Sequence, residues 1–113
     1  MTLEQLQASV LAFCDERDWK QFHSPKDLSC AIAIEAWELM EHFLWLNVND
    51  STQLAQCSED VSDEFADIVK YVLLFADVAG INIFDAVLHK MGKDALEYPV
   101  HKAKGSCKKY TQL

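Results

Sequence analysis

Four carboxylates in two matched pairs are the residues of this 113-residue chain best suited to chemistry. Glu35 and Glu38 stand three residues apart, and Glu64 and Asp67 repeat that spacing. Residues three apart on a helix share a face. Glu35 interrupts the apolar stripe Leu28, Ile32, Leu39, while Glu64 and Asp67 head a stripe that continues through Tyr71, Leu74 and Val78. Both pairs are therefore turned towards an interior. Like charges gathered there repel one another, and desolvation penalises each of them. Either several of the acids are protonated or a cation sits among them. Oxygen donors without Cys or His select a hard ion, Mg²⁺ with Mn²⁺ as a substitute, rather than zinc. A di-iron bundle would need Glu-x-x-His on two helices, and no Glu here has a His three residues later. Acids also line the solvated faces of ordinary amphipathic helices, which is the competing reading for either pair taken singly.

A hard cation held by carboxylates usually completes its shell with water and substrate phosphates. Such an ion neutralises phosphate charge and activates water for attack, so phosphoryl chemistry follows from the residue types. Four acids exceed what one Mg²⁺ commonly takes, and two or three ions fit the set. Lys90, Lys93 and Tyr98, on a later helix, are candidates for direct contacts to phosphate oxygens; an exposed helix face is the alternative for the lysines. Trp19, Phe22 and His23 crowd a connector, and Trp45 ends the helix that carries the first acid pair. Aromatic faces stack on bases and an imidazole reaches a base edge, although the same rings would also close the end of a bundle. Trp37, Phe43, Phe65, Phe75 and Phe84 are expected in the core.

Four helices would position these residues. The first carries Leu3, Leu6, Val10, Phe13 and Arg17 at the spacing of one face and should end near Asp18. Residues 19–24 form a connector, and Ser24-Pro25 is a strong start for a second helix running to about Leu46, with Leu28, Ile32, Leu39, Phe43 and Leu46 inward. The polar stretch 47–57, with Asn-Asp-Ser-Thr, reads as a loop. Ser58 caps the third helix, Glu59 and Asp60 suit its positive end, and Gly80 stops it. Asn82 and Asp85 resemble a capping box for a fourth helix that ends before Pro99. A loop of that length favours antiparallel packing of the second and third helices, which would bring the two acid pairs together. The expected architecture is thus an all-α, four-helix bundle over residues 1–98, with 99–113 an irregular basic tail of the same domain.

Composition agrees. Half of the residues are hydrophobic, with only three Gly and two Pro, a balance unlike disorder or a turn-rich sandwich. Cys14, Cys30, Cys57 and Cys107 show no C-x-x-C pairing and read as reduced thiols of a cytoplasmic protein. No secretory signal or membrane span is expected: the apolar run over 68–84 is broken by Lys70 and Asp77. The net charge of −8 argues against binding long nucleic acids. Six lysines, from Lys90 to Lys109, stand against only Asp94 and Glu97 near the end of the chain. An acidic body with a basic tail can neutralise itself between copies.

On these residues the chain resembles the MazG-like all-α nucleoside triphosphate pyrophosphatases, in the branch that contains the dCTP pyrophosphatases. The likeness runs through Glu16-Arg17-Asp18-Trp19, Gln21-Phe22-His23, Pro25-Lys26, Glu35-Ala36, Glu38-Leu39, Phe43 and Trp45. It resumes at Asp63-Glu64, Asp67, Lys90-Met91, Tyr98-Pro99-Val100 and Lys104-Gly105-Ser106, and closes on Lys108-Lys109-Tyr110. The resemblance implies a Mg²⁺ set of Glu35, Glu38, Glu64 and Asp67 and hydrolysis of nucleoside triphosphates, dCTP among the best, to monophosphate and pyrophosphate as nucleotide-pool house-cleaning. It also implies a base near Trp19, His23 and Trp45, phosphates near Lys90, Asp94 and Tyr98, and a homodimer or homotetramer with shared sites. The family commonly has Asn where Asp94 stands, a basic residue at Glu97 and often Gln at Leu44; an added negative charge at Asp94 would weaken phosphate binding or recruit more metal. A dUTPase-like hydrolase of another nucleotide and a non-enzymatic helical interaction module are the competing functions.

Overall fold

The computed structural model describes residues 1–113 and is all-helical. It contains six α-helices rather than four: α1 (Leu3–Asp15), α2 (Pro25–Glu41), α3 (Val48–Cys57), α4 (Glu59–Ala79), α5 (Ile83–Glu97) and the one-turn α6 (Val100–Ala103), with short 3₁₀ turns at Lys20–Phe22 and Tyr110–Gln112. No single helix is both long and apolar enough to cross a membrane. The chain divides into two compact units, Met1–Gly80 and Ile81–Leu113, and each is described by itself.

Local chemistry sets most helix ends. Thr2 and Gln5 form a full capping box on α1, each side chain bonding the other's backbone N–H. That helix closes at Asp15 instead of near Asp18, and Asp18 turns the chain with a φ of 54°. This is a left-handed conformation that Asp tolerates better than most residues. The Ser24 hydroxyl accepts from Asp27 N–H at the head of α2, with Pro25 at the first helical position. α2 ends at Glu41, so of 42–46, expected as helix, residues 42–45 form turns and Leu46 is irregular.

The stretch 47–57, expected as a loop, is α3. Its polar start is a cap: Asn47 accepts from Asp50 N–H at 2.8 Å, and its leaving Val48 free to open a helix turns an apparent breaker into a start signal. Ser58 ends α3 in an extended conformation and caps α4 through Val61 N–H. Gly80 closes α4 at φ 67°, where a side chain would be strained. Asn82 caps α5 through Asp85 N–H, without the reciprocal bond of a capping box.

In the first unit, α2 and α4 share the most extensive interface, α1 lies against α4, and α3 touches α4 more lightly. Leu28, early in α2, meets Leu74, late in α4, in a core with Cys14, packed by Val10, Leu11, Tyr71 and Phe75. At the other end Leu39 and Phe43 share a cavity with Val61 and Phe65. The two helices therefore run antiparallel, as the loop length between them predicted. Gln7 adds a tie from α1 to α4 by donating to the Leu73 carbonyl at 2.9 Å.

The buried core is smaller than the stripes suggested. Cys14, Leu28, Val61, Leu73, Leu74 and Ala76 are its buried members. Leu6, Phe13, Leu46 and Val78, expected inward, are exposed, as are Trp37, Phe65 and Phe84. A short two-helix contact offers each helix only a narrow buried strip, so apolar residues at the flanks of the stripe are left outside it. All four cysteines are free thiols, and burial raises the Cys14 thiol's pKa.

In the second unit, Lys90 and Asp94 form an ion pair one turn apart on α5. Tyr98, which follows α5, packs edge-on against Tyr110 with centroids 5.8 Å apart. That contact, α6 and the closing 3₁₀ turn give partial order to the segment expected to be irregular.

Candidate active site

Antiparallel packing of α2 on α4 sets the acid pairs opposite each other, midway along α2 and in the first half of α4. One carboxylate oxygen from each of Glu35, Glu64 and Asp67 lies within 4.8 Å of the others. Glu38, one turn beyond Glu35, shares with Glu64 a cavity of about 500 Å³ that Trp37, Glu41 and His42 complete. The arrangement is electrostatically uphill. Burial, the largest cause, raises the Glu35 carboxyl from the ordinary value of 4.5 to about 7; proton sharing with Glu64 and Glu38 and the charges of Glu38 and Asp67 add to the rise. The second carboxylate oxygens of Glu35 and of Glu64 are buried without a hydrogen-bond partner. Unpartnered buried carboxylate oxygens are costly. A divalent cation with an oxygen shell would satisfy both, and the donor set suits Mg²⁺ or Mn²⁺. The residues present fit the ion.

Two features escaped the sequence reading. Lys70 Nζ lies 3.3 Å from Asp67 Oδ1, a cation at the edge of the acid set that the spacing Asp67-x-x-Lys70 announces. Arg17 stacks over Phe13 at 3.6 Å from the ring centroid while donating to the Phe13 carbonyl.

Trp19 and His23 flank the Lys20–Phe22 turn, and Trp45 follows α2. Trp19 meets Phe13 edge-on, with centroids 5.9 Å apart. His23 is half-buried just after the 3₁₀ turn and donates its backbone N–H to the Lys20 carbonyl. Trp45 is 94% exposed in the turns after α2, and no ring-to-ring contact joins it to Trp19. Lys90, Asp94 and Tyr98 follow one another at single-turn intervals along α5 and its end, with Asp94 holding the Lys90 ammonium's pKa up by hydrogen bonding.

Residues 30–113 match the MazG-like family. The chain is 34% identical over 115 aligned positions to mouse dCTP pyrophosphatase 1 and 36% identical to the bovine protein of that name, covering 99% of this chain and 68% of each relative. It superposes on the crystal structure of a pyrophosphatase from Archaeoglobus fulgidus with a TM-score of 0.79 at 38% identity, over 86% of this chain and 92% of that one. The chain belongs to the MazG-like family. Within it, this is an enzyme of the pyrophosphatase class, and the reading as a non-catalytic helical module falls.

Proposed function

We propose that this enzyme uses Mg²⁺ to hydrolyse nucleoside triphosphates to the monophosphate and pyrophosphate, with deoxycytidine triphosphate among its best substrates, in nucleotide-pool house-cleaning. The observation that carries the reading is the meeting of Glu35, Glu64 and Asp67 around two partnerless buried oxygens. Glu35, Glu38, Glu64 and Asp67 would hold the ion. Bound there, Mg²⁺ supplies charge neutralisation for phosphate oxygens and a lowered pKa for a coordinated water. Glu35 gives up its proton near neutral pH, so its own negative charge develops only as the pH approaches 7. The α2–α4 packing fixes the spacing of the acids before substrate arrives, which limits reorganisation during reaction.

The choice of deoxycytidine triphosphate rests on the names of the relatives. Trp19, His23 and Trp45 are assigned to the base, and Lys90, Asp94 and Tyr98 to the phosphate end, from the family resemblance. A dUTPase-like preference for another base is the competing reading. A homodimer or homotetramer is also proposed: Ile34, Trp37 and Met40 on α2 and Phe65 on α4 leave large apolar surfaces exposed, which a second copy would cover. The test is a panel of canonical nucleotides with Mg²⁺, the products identified by phosphorus resonance. Monophosphate and pyrophosphate, formed fastest from deoxycytidine triphosphate, support the reading. Diphosphate and inorganic phosphate would overturn the bond assignment, and faster turnover of deoxyuridine triphosphate would favour the competing one.

A further inference from the structure

We propose that Lys70 is a substrate-contacting residue that rests on Asp67 and turns to the nucleotide's anionic end once a divalent cation occupies the acid set. The proposal rests on the metal-dependent reading above and deepens it. Lys70 occupies two environments at once. Its ammonium lies 3.3 Å from Asp67 Oδ1, and its side chain also lines a cavity of about 320 Å³ with Ser9, Val10 and Phe13. The cavity is otherwise apolar apart from the Ser9 hydroxyl, and no acid lines it. Lys70 Nζ stands 6.0 Å from the Phe13 ring centroid, within reach of its face.

The ion pair is half-exposed on both sides, so it holds Lys70 only weakly. A divalent cation shared by Asp67, Glu35 and Glu64 would take over the neutralisation of Asp67 and repel the ammonium beside it. Lysine's long flexible stem lets its charge move without moving the helix. Its way out leads into the cavity that it already lines, where nothing on the protein offers it an anion. A triphosphate seated on the acid set brings one. The apolar wall of the same cavity is Phe13, edge-on to Trp19, the ring assigned above to the base. One end of the substrate thus meets the cation and the other the aromatic wall.

Two variants of the full chain test this, Lys70→Met and Lys70→Arg, each measured by calorimetry without turnover. Titration with Mg²⁺ alone should show Lys70→Met binding the ion about fivefold more tightly than the wild type, because a competing cation has been removed. Titration with the α,β-methylene analogue of deoxycytidine triphosphate, at saturating Mg²⁺, should show Lys70→Met binding about tenfold more weakly, for loss of a charge-assisted hydrogen bond. Lys70→Arg should keep analogue binding within about twofold of the wild type. The opposite signs for ion and analogue are the signature, since a merely structural role would weaken both. Unchanged analogue affinity in Lys70→Met, or weakening of both titrations, overturns the proposal while leaving the metal-dependent reading standing. Glu35→Gln is the control: if it binds Mg²⁺ as the wild type does, the metal-dependent reading and the Lys70 proposal fall together.

Discussion

Glu35 on α2 and Glu64 on α4 each bury a carboxylate oxygen that has no hydrogen-bond partner, and the two acids meet with Asp67 inside 4.8 Å. Nothing in hydrophobic packing favours that arrangement. It is tolerable only with a proton or a cation in the middle, and this makes the metal-free protein sensitive to pH in an unusual direction.

In the folded chain Glu35 keeps its proton up to about 7, against 4.5 ordinarily. Between these values the folded state binds more protons than the unfolded one, so this group's contribution to stability falls as pH rises and is lowest above about 7. The loss should amount to about 2 kcal/mol after allowing for solvent access. Urea melts at pH 5 and pH 7.5 with chelator present measure it, with Glu35→Gln as the reference that removes the group. Relative to that variant, the wild type should be less stable at the higher pH. A wild type that gains on the variant as pH rises would mean that Glu35 is stabilised as an anion by something other than a metal.

Base recognition is assigned to Trp19, His23 and Trp45. Stacking alone contributes about 1–3 kcal/mol per base and tolerates any base, whereas hydrogen bonds to the base edge discriminate. Trp45→Ala should therefore raise KM for every triphosphate, by about tenfold, and His23→Ala should change the ratio of kcat/KM between bases. Steady-state kinetics on four deoxynucleotides decides. If both variants keep wild-type KM values and ratios, the base lies elsewhere.

The exposed Trp37 and Phe65 bear on assembly. Sedimentation at micromolar concentration should show at least a dimer, and replacing both with Ser should shift the protein towards monomer. A wild type that sediments as a monomer would remove the shared-site expectation.

The pairing of α2 with α4 was legible because Ser24-Pro25, Ser58 and Gly80 are local signals whose meaning does not depend on the rest of the fold. The inward acids were legible for a related reason: Glu35 interrupts an apolar stripe, and charge there demands an explanation. α3 was missed because Asn47 serves equally as a loop residue and as a helix cap, and only the residues after it decide. Lys70 was missed because, with Asp67 three residues earlier, it reads as an ordinary exposed helix pair, and only the packed structure shows its side chain also in the cavity beside Phe13. The placement of Trp37, Phe65 and Phe84 at the surface was beyond the pattern, since hydrophobicity says that a residue should be covered but not whether by its own chain.

The role of the four acids as metal ligands in hydrolysis is read out by turnover in Glu35→Gln, Glu38→Gln, Glu64→Gln and Asp67→Asn with Mg²⁺ and with Mn²⁺. Each change keeps the shape of the side chain and removes one charge. Loss of a ligand withdraws several kcal/mol of stabilisation from the developing phosphate charge, so each variant should be at least about a hundredfold slower. Their metal-free forms should stay folded, since each loss relieves repulsion. Wild-type activity should vanish with chelator and return with either ion. Near-wild-type turnover in any two of the four, or full activity without a divalent ion, would mean that these acids do not hold a catalytic metal.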